Sequence, residues 1–231
     1  MSLDRSAAAL LIALPIAFNA FFFLLGRLFE YPAVLRQPVG VVLRRFHAGG
    51  LHLKLTWFGF TLTAVLFAPL AVLLGQVLAR ERLEIVPVAT TIGVLAAIVQ
   101  FLGLARWPFL VPALARTYGD PESTAATREA TAVVFDSFNR YHGVAVGECL
   151  GYLLTGAWTI LTAVAMLESS SFDGWLAWPG IVIGLLLVAG SLEFVGPFEE
   201  GGWKVAATIV PLAYIGWSLW LISTGVVLLA G

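Results

Sequence analysis

Residues Leu55–Ala79 read LTWFGFTLTAVLFAPLAVLLGQVLA, 25 positions without one acidic or basic side chain. At a rise of ~1.5 Å per residue, a helix of that length exceeds the ~30 Å of a bilayer's hydrocarbon core. Its apolar residues are continuous rather than alternating. Backbone groups in lipid are satisfied only within a helix or a closed barrel, and a continuous run selects the helix. Five further stretches read the same way: Ala7–Gly26, Val88–Ala105, Cys149–Leu167, Trp175–Leu192 and Val205–Ala230. The expected fold is an all-α polytopic membrane protein, a bundle of six transmembrane helices with two amphipathic cytoplasmic connecting segments. So little sequence lies outside the spans that residues 1–231 are expected to form a single domain.

Composition agrees. Hydrophobic residues make up 60% of the chain and charged residues 12%, about half the share in soluble domains. A net charge of −1 gives no footprint for nucleic acid. A lone cysteine, Cys149, excludes an intramolecular disulfide and any C-x-x-C motif. The apolar run from Ala7 is longer than a signal-peptide core and ends at Arg27 without a small-residue cleavage site, so it is read as the first span.

Basic residues are unevenly placed. The links between spans 1–2, 3–4 and 5–6 carry ten of the 13: Arg27, Arg36, Arg44, Arg45, Lys54, Arg106, Arg116, Arg128, Arg140 and Lys204. By the positive-inside rule these links face the cytoplasm and both termini face out. The first link, Leu28–Lys54, predicts a short interfacial helix, with Gly49-Gly50 releasing the chain into the second span. The second, Trp107–Gly147, predicts a helix capped at Asp120-Pro121-Glu122. Its apolar stripe would be Ala130, Val134, Phe138 and Tyr141, and it would continue into the fourth span.

That fourth span carries the chemistry. At ~100° per residue Tyr141, Glu148, Tyr152, Thr155, Thr159 and Thr162 share one stripe. Such a stripe should face other helices or a wet cavity, because polar groups in hydrocarbon need partners. Gly143, Gly147 and Gly151 form a small-xxx-small ridge beside it, suited to a close neighbouring helix or to self-association. Arg106 ends the third span and Glu148 precedes the fourth, so the two antiparallel helices should bring them to one depth as a pair. His47, His52 and His142 show no metal-ligand spacing, and a site completed by Glu148 would have to be assembled across two loops. No metal and no cofactor are therefore expected. Tyr214, Trp217 and Trp220 read as packing and interfacial aromatics in preference to a pocket lining. P-loop, nucleophile-elbow and dinucleotide motifs are missing, which points away from those catalytic classes.

Four short stretches carry a resemblance: Tyr31-Pro32-Ala33-Val34-Leu35-Arg36, Leu43-Arg44-Arg45-Phe46 with Gly49-Gly50, Arg106-Trp107-Pro108-Phe109-Leu110, and Tyr141 through Gly147-Glu148 to Gly151-Tyr152. They resemble a bacterial multi-pass membrane family catalogued as domain of unknown function 4386, chiefly from the first span through the fourth. The resemblance implies an inner-membrane protein of bacteria and brings no activity, ligand or catalytic residue. From the residues alone, the leading expectation is a cleft beside the fourth helix that binds or transfers a small polar or amphiphilic molecule or a proton. Arg106, Tyr141, Glu148, Tyr152 and Thr155 are its candidate ligand-binding residues, and no catalytic residue is assigned. The alternative is a non-catalytic membrane scaffold or regulator acting through the cytoplasmic loops.

Overall fold

A computed structural model describes residues 2–230; Met1 and Gly231, the ends of the expected single domain, lie outside the described residues. The regular elements are helical: α1 Leu3–Phe29, α2 Val39–Ala48, α3 Gly50–Leu78, α4 Ile85–Phe109, α5 Val111–Gly119, α6 Ala125–Phe138, α7 Gly151–Glu168, α8 Gly174–Gly190 and α9 Lys204–Ala230. Between α6 and α7, Asn139–Leu150 is wound as a π-helix. The whole of Ala125–Glu168 is thus one long rod. Five helical stretches are long and apolar enough to cross a membrane: Leu3–Phe29, Gly50–Glu81, Ile85–Gly119, Ala125–Glu168 and Lys204–Ala230. The stretch expected as a span at Trp175–Leu192 is a helix of 17 residues, α8. At ~1.5 Å per residue it reaches ~25 Å, short of a full hydrocarbon crossing.

Local chemistry sets the element ends. Ser2 caps α1 by accepting the Arg5 backbone N–H at 3.4 Å, with Asp4 in the positive first turn. Between α2 and α3 the chain turns at Gly50, whose φ of +58° favours glycine. The expected cap at Asp120 is replaced by one four residues on. Asp120 Oδ1 accepts the Glu122 backbone N–H at 2.9 Å in a turn, and Thr124 Oγ1 accepts that of Thr127 at 3.1 Å. An aspartate followed by proline closes an Asx turn more readily than it starts a helix here, because the next hydroxyl is better placed to cap.

Two buried clusters hold the bundle. Near the end carrying few basic residues, Phe67, Trp158, Trp217 and Trp220 pack among α1, α3, α4, α7, α8 and α9. At the basic end, Phe29, Phe46, Trp57, Trp107 and Phe135 form the second, with Trp57 and Trp107 stacked at 4.4 Å. The apolar face of α2 (Val42, Leu43, Phe46) is buried in this cluster, so it meets protein rather than a headgroup surface. The face of α6 is also rotated from its expected position. Thr131 and Phe135 are buried, Phe135 against Trp107, while Val134, Phe138 and Tyr141 are exposed. Phe135 joins the rings of Phe29, Phe46 and Trp57 around Trp107, and with that face turned inward the expected stripe points outward.

Helices α1 and α9 pack closely toward the end away from most basic residues, where a Cβ at Gly225 would lie 2.9 Å from Ile12. The last polar tie is at mid-depth, where Asn19 Nδ2 donates to Ser218 Oγ at 2.9 Å. Asn19→Leu should remove this interhelical bond and cost about 1 kcal/mol. Thermal unfolding in mild detergent should show the loss, and unchanged stability would mean that the tie holds nothing.

Candidate functional site

Toward the basic end, α1, α4, α9 and the π segment separate around a cavity of about 1750 Å³. Arg106, Glu148 and Tyr152 all line it, together with Tyr31, Gln100 and Asn139. Glu148 and Tyr152 also line an adjoining pocket of about 360 Å³ on the other side of the π segment, and Tyr141 lies in that one. Thr155 lines neither. It is fully buried and accepts a hydrogen bond from Gln100 Nε2 at 2.6 Å. The polar stripe therefore divides by depth. Thr155 and Thr159 hold helices together, Thr159 by accepting Trp217 Nε1–H at 3.0 Å, while Glu148 and Tyr152 face open space. Trp217 and Trp220 are packing residues, as expected, but Tyr214 joins the wall of the large cavity.

Tyr141 departs from the stripe because of the winding. An i→i+5 helix advances each side chain by less than the ~100° of an α-helix. Over the seven residues from Tyr141 to Glu148, all within the π segment, the shortfall swings Tyr141 out to 65% exposure.

The expected Arg106–Glu148 ion pair does not form. Arg106 Nη2 donates to Asn139 Oδ1 at 3.1 Å, and Nη1 donates to the Gly103 carbonyl. Its Nε is buried without a partner. The guanidinium also lies 5.3 Å from the Trp107 ring centroid, a favourable cation–π arrangement. Asn139, a residue with no conspicuous sequence signal, thus intercepts the arginine at the start of the π segment. The two charges still share one cavity. Burial pushes the Tyr31 phenol up to about 12, helped by the Glu148 carboxylate and opposed by Arg106. Near the cavity edge, burial raises the Glu193 carboxyl while Arg36 pulls it down.

The glycine ridge makes this geometry possible by consuming the close approach within the chain. A Cβ on Gly143 would lie 2.5 Å from Arg106 Nη2, one on Gly147 3.1 Å from Gly103 Cα, and one on Gly151 3.2 Å from Gln100 Cγ. All three glycines thus lie against α4. The sequence reading missed Asn19 and Gln100, amides standing inside apolar runs that both line the cavity; Tyr31 and Asn139 lie in connecting segments. Among the described residues, no group of three or more His, Cys, Asp or Glu side chains comes together as a metal site. His142 instead stacks on Phe138 at 5.0 Å.

No curated protein and no solved structure matches the chain. The family described as Domain of unknown function (DUF4386) has a model that matches residues 6–225. That match takes in every residue that lines the cavity, and the chain belongs to this family.

Proposed function

We propose that the protein binds a small polar or amphiphilic molecule in the cavity beside the π segment. In this reading it acts from a bacterial inner membrane, with its basic connections in the cytoplasm and both termini outside. The observation that carries the reading is an open cavity of about 1750 Å³ whose wall holds Arg106 and Glu148, a cation and a carboxylate that do not pair with each other. Clefts of ~300–1,000 Å³ already hold drug-sized ligands. A cation and a carboxylate that line one cavity without pairing are a costly arrangement unless a partner completes it. Arg106 supplies fixed positive charge, Glu148 a counter-charge or proton carrier, and Tyr152 a hydroxyl. Tyr141 contributes from the adjoining pocket, and Thr155 positions Gln100.

The test is to extract the full chain with its surrounding lipid, denature it, and identify released small molecules by mass spectrometry. A stoichiometric molecule is expected from the native protein. It should be absent from Ala207→Trp, which fills the cavity from α9, and depleted in Arg106→Gln. Release no greater than from an unrelated membrane protein would overturn the reading.

The scaffold alternative draws on the outward apolar face of Val133, Val134, Phe138 and Tyr141. It expects Val134→Ser with Phe138→Ser to abolish complementation of a deletion strain, with Glu148→Gln silent. The opposite pattern removes it.

A further inference from the structure

We propose that the cavity admits an anionic amphiphile sideways from the bilayer, between the basic-end halves of α1 and α9. This inference rests on the cavity-binding reading above and adds the class of ligand and its route. Between these helices Asn19 bonds to Ser218 and Phe18 stacks on Tyr214; toward the basic end from there, residues of both helices line the cavity. Phe23 on α1 and Ile215 on α9 both line the cavity, yet they are 62% and 54% exposed. Residues that face both the inside and the surroundings mark a mouth.

The depth of that mouth identifies what passes through it. Phe23 lies six residues from the end of α1, ~9 Å along the helix, and Ile215 eleven residues from the start of α9, ~16 Å. Both positions fall within hydrocarbon ~30 Å thick when the helix ends mark its boundary. A hydrated solute gains nothing from an opening there, whereas an acyl chain moves through it without leaving an apolar medium. Inside, Phe18, Phe22, Phe60 and Tyr214 offer an aromatic wall, with Phe18 and Tyr214 stacked at 5.7 Å.

The polar edge of the mouth selects charge. Arg27 ends α1 and Lys204 begins α9, and both line the cavity. Among the described residues neither has an ion-pair partner, since the pairs that form are Arg45–Glu30, Arg80–Asp4 and Arg140–Glu199. Arg106 waits deeper on the same path. The acids in the wall, Asp136, Glu148, Glu193 and Glu200, come from the α6–α7 rod and the α8–α9 connection. A head bearing phosphate or carboxylate is thus met first by cations, one on each helix of the mouth. A phospholipid and a fatty acid share that chemistry.

The experiment reconstitutes the full chain in vesicles of phosphatidylcholine with equal minor amounts of phosphatidylglycerol and oleate, and counts retained amphiphiles by native mass spectrometry. Selective retention of one anionic species is expected, and which one identifies the source. Arg27→Gln with Lys204→Gln should reduce that preference roughly thirtyfold, taking two cations at their usual worth beside anionic lipid. Both side chains are exposed, so the fold should survive. Arg5→Gln with Arg82→Gln, away from the cavity, should leave the preference intact. Retention without headgroup preference, or a preference unmoved by the mouth variant, overturns the proposal. A retained water-soluble molecule with no amphiphile overturns it too, while leaving the cavity-binding reading standing. Empty protein overturns both.

Discussion

Gly103→Ala should destabilise the protein by about 3 kcal/mol, the upper end of what one extra methyl costs in a filled interior. The added carbon would lie 2.5 Å from Gly147 Cα and 3.0 Å from both the Gly147 nitrogen and the His142 carbonyl oxygen. These are backbone atoms, so no rotamer change relieves the clash; α4 and the π segment must move apart. The reciprocal Gly147→Ala places its carbon 3.1 Å from Gly103 Cα and should cost only about 1 kcal/mol. At Gly201 nothing lies within 4 Å, and alanine there should be neutral. Denaturant or thermal unfolding in detergent ranks the three. Equal stability of Gly103→Ala and Gly201→Ala would show that the helices do not approach as described.

Arg106→Met should also cost about 3 kcal/mol, because two charge-assisted hydrogen bonds are lost together. Asn139 Oδ1 and the Gly103 carbonyl would both lose their donor, and Glu148 would lose the nearby cation. Glu148→Gln alone should be milder, since it leaves those two bonds in place. In the double variant the carboxylate is no longer left without its counter-charge. Its loss should therefore fall short of the sum of the singles by about 1 kcal/mol, the coupling expected within one polar network. Strict additivity would mean that the two groups do not feel each other across the cavity.

Much of this architecture was legible in the chain, for a simple reason. Hydrocarbon tolerates few charges, so an uncharged run such as Leu55–Ala79 announces a helix without any knowledge of its neighbours. The depth of Arg106, Glu148 and Tyr152 followed from the same logic, and these three do line one cavity. What stayed hidden depends on winding and tertiary choice. The projection of Tyr141 assumed an α-period where the chain adopts a π-helix. The Arg106–Glu148 pair assumed that no closer acceptor existed, and Asn139 is that acceptor. The outward face of α6 follows from Phe135 packing on Trp107, a tertiary contact that no local pattern reports. The helix α8 ends at Gly190 with Ser191 as its cap, a local end that a count of uncharged residues up to Leu192 does not register.

The layer beneath the cavity has one more implication. Trp158, Thr159 and Trp217 are nearly or wholly inaccessible, and the Trp217–Thr159 bond stitches α9 to α7 across it. In this conformation these packed side chains close the bundle at that level. Ion flux through reconstituted protein should accordingly match that of bare liposomes.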